Sequence, residues 1–198
     1  MRGESPGHRT SFLYLNPYNG NMAFTPSIYS RWMKEVQEKK YEGILLEFIL
    51  PLHSKMNLGS MRILDVGIGK GWFEDILRDR GMAPEIVGID KVPFDTKGVD
   101  IIVGDGGALP LKEGLFDMVI SFDTVHLISD TKDMVRVLKD NGLLLISIHC
   151  NEYNMPEKRN ELLGRFRGMK VLKESVVGDP DKELSYVVLM RKGPWSSG

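Results

Sequence analysis

The sequence has little cysteine, no long apolar run and no excess of charge of either sign. Cys150 is the only cysteine, so the chain cannot form an internal disulfide. No apolar run approaches the roughly 20 residues of a membrane-spanning helix, and the N-terminal residues lack the apolar core of a signal peptide. The formal net charge of −1 gives no general attraction to nucleic acids. We therefore expect a soluble, cytoplasmic protein without a membrane span, and nucleic acid is disfavoured as a partner.

Internal repeats and clusters of residues with metal-ligand spacing are also missing, so we expect neither a repeat architecture nor a metal site. The 198 residues suit one domain with a sizeable core. Residues 1–26 have no period and predict a loosely ordered arm, residues 27–192 the folded domain, and residues 193–198 a disordered tail. A monomer or homodimer is expected.

Apolar residues at three- and four-residue spacings follow the capping sequence Thr25-Pro26-Ser27. This predicts one or two helices within residues 27–52, ending near Pro51. The charged residues of this segment predict a solvent-facing side. They are Lys34, Glu35, Glu38, Lys39 and Lys40.

An apolar run ends in glycines at alternate positions, Gly67, Gly69 and Gly71. Glycines allow positive φ and close approach to a ligand, and a helix that follows such a turn offers free N–H groups. The pattern predicts a buried strand that turns into a helix and forms a cradle for a nucleotide-like cofactor. A dinucleotide fingerprint is excluded because Trp72 and Glu74 stand where its third glycine would be. A structural turn without a ligand is the alternative for this stretch alone.

The pattern Asp65-x-Gly67-x-Gly69-x-Gly71 resembles motif I of the class I S-adenosylmethionine (SAM)-dependent methyltransferases. Three later segments resemble further motifs of this family, in the family's order. Gly104–Leu111 and Phe116–Ser121 are similar to the family's G-D-A-x-x-L-P-F and F-D-x-V-x-S. Phe122–Asp130 is similar to the S-x-x-x-L-H-H-x-x-D loop, with one histidine of its pair. Val137–Gly142 is similar to the R-V-L-K-P-G-G turn. The resemblance covers roughly residues 27–192.

The resemblance implies an α/β fold, with a single doubly wound, Rossmann-like domain. Its seven-stranded, mostly parallel sheet would have the order 3-2-1-4-5-7-6, with strand seven antiparallel and capping helices at the N-terminus. Further predicted elements are strands at Glu85–Asp90, Asp100–Gly104 and Leu143–Ile148, a short helix at Asp130–Asp140, a last helix at Pro156–Arg167, and an antiparallel hairpin over 169–191. The linker Lys91–Val99 is too short for the usual helix between parallel strands.

The resemblance makes SAM the expected cofactor. Asp90, at the tip of the second strand, would accept hydrogen bonds from the ribose hydroxyls. Asp105 and Gly106 would contact the adenine, and the helix carrying Tyr29 and Trp32 would close over the cofactor. The expected cofactor-binding residues are Tyr29, Trp32, Asp65, Gly67, Ile68, Gly69, Gly71, Asp90, Lys91, Asp105, Gly106, Ser121 and Phe122.

Asp123 and His126 are the candidate catalytic residues, since either could remove a proton from the acceptor; His149 and Tyr153 are further candidates. A packing or hydrogen-bonding role is the alternative for His126. The expected reaction is methyl transfer from SAM to an acceptor, most simply a small molecule. Methylation of a protein or RNA is an alternative, and so is a non-catalytic SAM-binding partner subunit, because cofactor binding and chemistry are separable on one fold.

Overall fold

The computed structural model describes residues 31–193 and the side chains of residues 33–193. Its helices are α1 (Arg31–Ile44), α2 (Leu50–His53), α3 (Trp72–Asp79), α4 (Lys132–Arg136) and α5 (Met155–Arg165). Its strands are β1 (Arg62–Val66), β2 (Glu85–Asp90), β3 (Asp100–Val103), β4 (Phe116–Ser121), β5 (Leu138–Cys150), β6 (Lys170–Asp179) and β7 (Glu183–Arg191). No helix among the described residues is long and apolar enough to span a membrane.

The strands form one sheet in the order β3-β2-β1-β4-β5-β7-β6. The first five strands of this order are parallel to their neighbours, whereas β7 is antiparallel to both β5 and β6. The predicted α/β class, strand order and antiparallel strand seven are therefore confirmed. The carboxyl ends of the parallel strands meet at one edge of the sheet, which is where open α/β sheets bind ligands.

Apolar side chains cover both faces of the sheet and form two cores. On one face the helical segment 31–53 and α3 pack over the sheet, with Ile44, Phe48, Ile63 and Phe73 buried. On the other face α4 and α5 pack over the sheet and bury a second apolar cluster around Leu64. Burial on both faces explains why the parallel strands appear in the sequence as continuous apolar runs.

The helical segment before β1 continues past Pro51 and ends at His53. α1 passes into α2 through a π-helical turn, Leu45–Ile49. Pro51 lies in the first turn of α2, and its ring nitrogen cannot donate to the carbonyl of Glu47 four residues earlier. The Lys173 ammonium donates to that carbonyl instead, at 2.7 Å. This contact from β6 accompanies the last helical turn, which ends at His53, close to the predicted end near Pro51.

The helix predicted over Asp130–Asp140 is shorter than expected, and β5 begins before the predicted Leu143. The main-chain N–H of Leu115 donates to the carbonyl of Val137 and ends the helical course. Leu138, fully buried, then pairs with Phe116 ahead of an irregularity in the β4–β5 register. The early start of β5 therefore depends on pairing with β4, which the local pattern does not contain.

The linker between β2 and β3 contains no helix, as the sequence predicts. β3 is an edge strand of the sheet. Val103, its last residue, has an exposed fraction of 58%. This edge is therefore less covered than in a sheet whose crossovers are all helical.

Candidate active site

The glycine turn has the conformation that its sequence predicts. Gly67, Gly69 and Gly71 have φ values of 84°, 57° and 70°, which L side chains rarely adopt. A Cβ atom at position 67 would lie only 2.7 Å from Cβ of Thr124, in the loop after β4, and one at position 71 would lie 3.1 Å from Cγ2 of Thr96. Glycine is therefore required at position 67 both for φ and for space, and at position 71 mainly for φ.

Asp90 supports this turn from the end of β2. One oxygen of its carboxylate accepts a hydrogen bond from the Gly69 N–H at 2.9 Å, and the other accepts one from the Val92 N–H at 3.0 Å. Ile68, within the turn, is buried. The structure thus places Asp90, the residue predicted to bind the ribose, against the glycine turn. Its contact with a ribose stays a prediction.

Asp105 and Lys91 lie at the ends of neighbouring strands, and their charged groups are 3.1 Å apart. The Gly107 N–H donates to Asp105 at 2.8 Å. This main-chain bond, together with Lys91, lowers the pKa of the Asp105 carboxyl. A Cβ atom at Gly106 would lie 2.6 Å from Cγ1 of Val66, so glycine lets this loop pack on the end of β1. The predicted adenine-binding residues therefore lie near the glycine turn.

Ser121 and Phe122 connect the end of β4 to its surroundings. The buried Ser121 hydroxyl donates to the Val66 carbonyl at 2.7 Å. The Phe122 ring packs edge-on against Phe73, with a centroid distance of 4.8 Å, and also lies near Tyr41 of α1. Both residues hold the loop after β4 in place, and their contact with a cofactor remains a prediction.

Asp123 is the centre of a buried polar cluster beneath α1. Its carboxylate lies 2.5 Å from the Lys40 ammonium and accepts hydrogen bonds from the hydroxyls of Ser147 and Ser185 at 2.7 and 2.9 Å. The φ of Asp123 is 50°, an uncommon value outside glycine. Glu183 of β7 lies 3.6 Å from the same ammonium. We call these five residues the Lys40 cluster.

Lys40 was expected on a solvent-facing side, and this prediction was wrong. Its exposed fraction is only 2%. The signal that could have revealed it is position, because Val36, Lys40 and Ile44 are spaced by four residues and share one helical face. The flanking Val36 and Ile44 are both buried. The charge partner, Asp123, is 83 residues away in sequence, which local pattern analysis cannot connect.

The charges of this cluster bear on the choice of a catalytic base. Burial opposes ionisation of Asp123, but the charge of Lys40 and the three side-chain hydrogen bonds lower the pKa of this carboxyl below its ordinary value. A carboxylate held in this way is a weak proton acceptor, so the geometry favours a positioning role for Asp123. Burial lowers the pKa of His126, in the helical turn Val125–Leu127, and favours its neutral form, which can accept a proton. A catalytic role for either residue stays a prediction.

Asp65 lies on β1 with its carboxyl group beneath the glycine turn, facing that of Glu74 in α3. Both side chains are buried. The sequence pattern identifies Asp65 as a cofactor-binding candidate and contains no signal that Glu74 turns inward. Tyr29 and the side chain of Trp32 lie outside the described residues, so the predicted lid over the cofactor stays a prediction.

A polar cleft of about 320 Å³ lies at the carboxyl end of β5, between that strand and the β6–β7 turn. Its lining includes His149, Glu152, Tyr153, Lys182, Glu183 and Leu184. Glu183 belongs to the Lys40 cluster, so the cleft and the cluster are contiguous. His149 is on the same face of β5 as Ser147, because alternate strand residues share a face.

Comparisons with known proteins agree with these features. The family model described as "Methyltransferase domain" matches residues 64–146. No curated protein matches the chain significantly.

Three solved structures illustrate the similarity of fold. The complex between the Haloferax volcanii Trm112 methyltransferase activator and a methyltransferase matches with a TM-score of 0.63 and 16% identity, covering 83% of this chain and 94% of that one. Burkholderia thailandensis 1,6-didemethyltoxoflavin-N1-methyltransferase, with bound 1,6-didemethyltoxoflavin and S-adenosylhomocysteine, matches with a TM-score of 0.59 and 15% identity, covering 87% and 92%. A SAM-dependent methyltransferase from Aquifex aeolicus matches with a TM-score of 0.56 and 20% identity, covering 85% and 99%.

At these identities the solved structures show the fold, and the family model adds the segment that carries the cofactor motifs. This segment contains the glycine turn together with Asp90 and Asp105, which follow the second and third strands. The sheet has the strand order that the motifs imply. Residues 64–146 therefore match a methyltransferase domain, and the described part of the chain has the fold of the SAM-dependent methyltransferases.

Proposed function

We propose that this methyltransferase acts on a small polar molecule, which binds in the cleft at the end of β5. The observation that carries the proposal is the cleft itself, with its volume of about 320 Å³ and its charged and hydrogen-bonding lining. This volume is at the lower end of the roughly 300–1,000 Å³ of small-molecule sites. The Burkholderia thailandensis enzyme, which has a small molecule bound, supports the same class of acceptor.

The residues around the glycine turn fit SAM as the cofactor. Each carboxylate oxygen of Asp90 accepts one main-chain hydrogen bond and has a lone pair left for a ribose hydroxyl. Asp105 is half-exposed beside Lys91, where it can accept from the adenine amino group. Asp65, with an unpaired oxygen beneath the turn, supplies negative charge near a cationic ligand.

Bound SAM supplies a sulfonium methyl group that is already activated for transfer. The protein has mainly to hold the acceptor in line and exclude water, which can contribute roughly 7–11 kcal/mol in favourable cases. The Lys40 cluster contributes to holding the acceptor in line, because it fixes the loop after β4 between the glycine turn and the cleft. His149, which lines the cleft, accepts the proton if the acceptor is a hydroxyl group; a thiol or an amine needs no such base.

The test is methyl transfer from labelled SAM to separate pools of small polar molecules, peptides and RNA. We expect label in the small-molecule pool. Leu184→Trp, which fills the cleft, should lose this transfer but still bind SAM. The matched control is Leu172→Trp, on the exposed part of β6, and should transfer normally. Label in the peptide or RNA pool, or full activity of Leu184→Trp, would contradict the proposal.

A second candidate is a catalytic subunit that depends on an activator protein. The exposed end of β3, with Val103 at the open edge, favours it, and one structure of this fold is a complex with a methyltransferase activator. An open strand edge can pair with a strand of a partner. Turnover that requires added cell extract, and that is lost in Val103→Lys while SAM affinity is kept, would support this candidate over an independent enzyme.

A further inference from the structure

Two carboxyl groups are buried together beneath the glycine turn. Asp65 and Glu74 have exposed fractions of 3% and 2%. Asp65 Oδ1 and both carboxylate oxygens of Glu74 have no well-aligned hydrogen-bond donor in the described part of the chain. The Asp65 carboxyl and the main-chain N–H of Glu74 lie near the Glu74 carboxyl and partly offset the effect of burial on its pKa. A buried ionised carboxylate without hydrogen-bond donors is strongly disfavoured. At least one of the two groups therefore needs either a proton or a bound cation.

The surroundings of the pair add more negative than positive charge. Asp90 faces Asp65 from β2, and Asp75 and Arg78 face Glu74 from α3. Arg78 is already engaged, because it donates to the Asp75 carboxylate at 2.8 Å. The β4 residue paired with Asp65 in the sheet is the apolar Ile120, and the turn above carries Lys70. From α1, the residue that packs here is Tyr41, through the ring of Phe73.

Burial raises the pKa of Asp65 well above its ordinary value, and the charge of Glu74 raises it further. Burial also raises the pKa of Glu74. When two carboxyl groups share a site, one proton held between them removes the like-charge repulsion.

The pair lies directly under the place where the cofactor is expected. Glu74 Oε2 would be 3.7 Å from a Cβ atom at Gly71, the last glycine of the turn. A positive charge bound on this turn would act on the pair through protein of low dielectric, where charges interact strongly. Such a charge would favour the fully ionised form and displace the shared proton.

We propose that Asp65 and Glu74 hold one proton between them in the cofactor-free enzyme and release it to solvent when cationic SAM binds on the glycine turn. This inference rests on the proposed position of SAM. It makes Glu74 a determinant of cofactor affinity and selects for ligands with positive charge. By linkage, affinity for SAM rises with pH, by up to about tenfold per pH unit while the proton is being displaced.

Titration calorimetry in two buffers of different ionisation heat measures the protons released on binding. The ligands differ in their cationic groups: SAM has a sulfonium and an ammonium group, S-adenosylhomocysteine has only the ammonium group, and 5′-methylthioadenosine has neither. SAM and S-adenosylhomocysteine share the same carboxylate. We expect proton release in the order SAM, S-adenosylhomocysteine, methylthioadenosine, with none for the last. This comparison needs no variant.

Glu74→Gln removes one member of the pair at nearly constant shape. We expect it to bind SAM without releasing a proton and with an affinity that no longer rises with pH. Asp79→Asn, at the exposed end of the same helix, is the control with the same change of charge and should release the proton normally. Asp65→Asn is the second variant if Glu74→Gln does not fold.

The outcomes separate the inference from the function on which it rests. SAM binding with equal heats in both buffers, or equal proton release by the parent and Glu74→Gln, would overturn the inference and leave the methyltransferase function intact. A folded protein that binds no SAM at any pH would overturn both.

Discussion

Replacing Lys40 with methionine should destabilise the protein, because it breaks a buried ion pair. The substitution keeps the length of the side chain but removes the charge that lies 2.5 Å from the Asp123 carboxylate. The two side chains have exposed fractions of only 3% and 11%, so solvent cannot replace the lost partner. Breaking a buried ion pair costs about 3–5 kcal/mol. Because Ser147 and Ser185 still donate to the carboxylate, we expect about 3 kcal/mol.

Urea denaturation of the cofactor-free protein at neutral pH measures this loss in the free energy of unfolding. The double variant Lys40→Met/Asp123→Asn removes the stranded charge and should regain most of the stability. Lys39→Met is the matched control on the preceding residue. The Lys39 side chain, which pairs with Asp179, is 59% exposed, so its loss should change stability little.

The sign of the pH dependence follows from Asp123. Its pKa is lowered in the folded protein, so the stabilisation by Lys40 is present above the ordinary carboxyl pKa and is lost as pH falls through the folded pKa. The difference between the parent and Lys40→Met should therefore shrink in acid. A loss below about 1 kcal/mol at neutral pH, the scale of exposed pairs, or no recovery in the double variant would refute the reasoning.

Three further predictions concern the cofactor turn. Gly67→Ala should fold but bind SAM weakly, measured by calorimetry, because its Cβ would overlap Thr124 at a positive φ; unchanged affinity would mean that the turn does not hold the ligand. Asp90→Ala should weaken SAM binding by about 1–3 kcal/mol, the cost of leaving hydrogen-bond donors unpaired. Asp105→Ala is the companion test at the adenine end of the cofactor. If only Asp105→Ala binds SAM normally, the predicted adenine contact is wrong and the ribose contact stands. Glu74→Gln should raise the thermal unfolding temperature of the cofactor-free protein at neutral pH, because the raised carboxyl pKa values cost stability as pH rises above the unfolded values; a lower temperature would contradict this.

The sequence predicted the strand order and the glycine turn because several motifs occur in one order, each at the end of a strand. The missing helix after Asp90 was also predicted, since nine residues cannot form a full crossover. The strand order is what the resemblance of these motifs to the methyltransferase family implies. The glycine turn and the absent helix depend on residues close to one another in the chain, so local spacing and turn chemistry are sufficient for those two features.

What the sequence missed depends on contacts between distant segments. The sequence predicted Lys40 on a charged, solvent-facing side of the helix, because its contact with Asp123, in the loop after β4, joins segments far apart in the chain. The inward position of Glu74 follows from how α3 packs on the sheet beside Asp65. Burial and charge pairing of this kind are properties of the folded chain.

Calorimetric titration of the purified protein with SAM, S-adenosylhomocysteine and NAD tests the central claim most directly. The glycine spacing and the acidic residue at the end of β2 predict that both sulfur ligands bind and that NAD does not. Gly67→Ala should weaken binding of both ligands, because they share the turn. Binding of NAD with no response to SAM would contradict the assignment of this turn to a methyl donor.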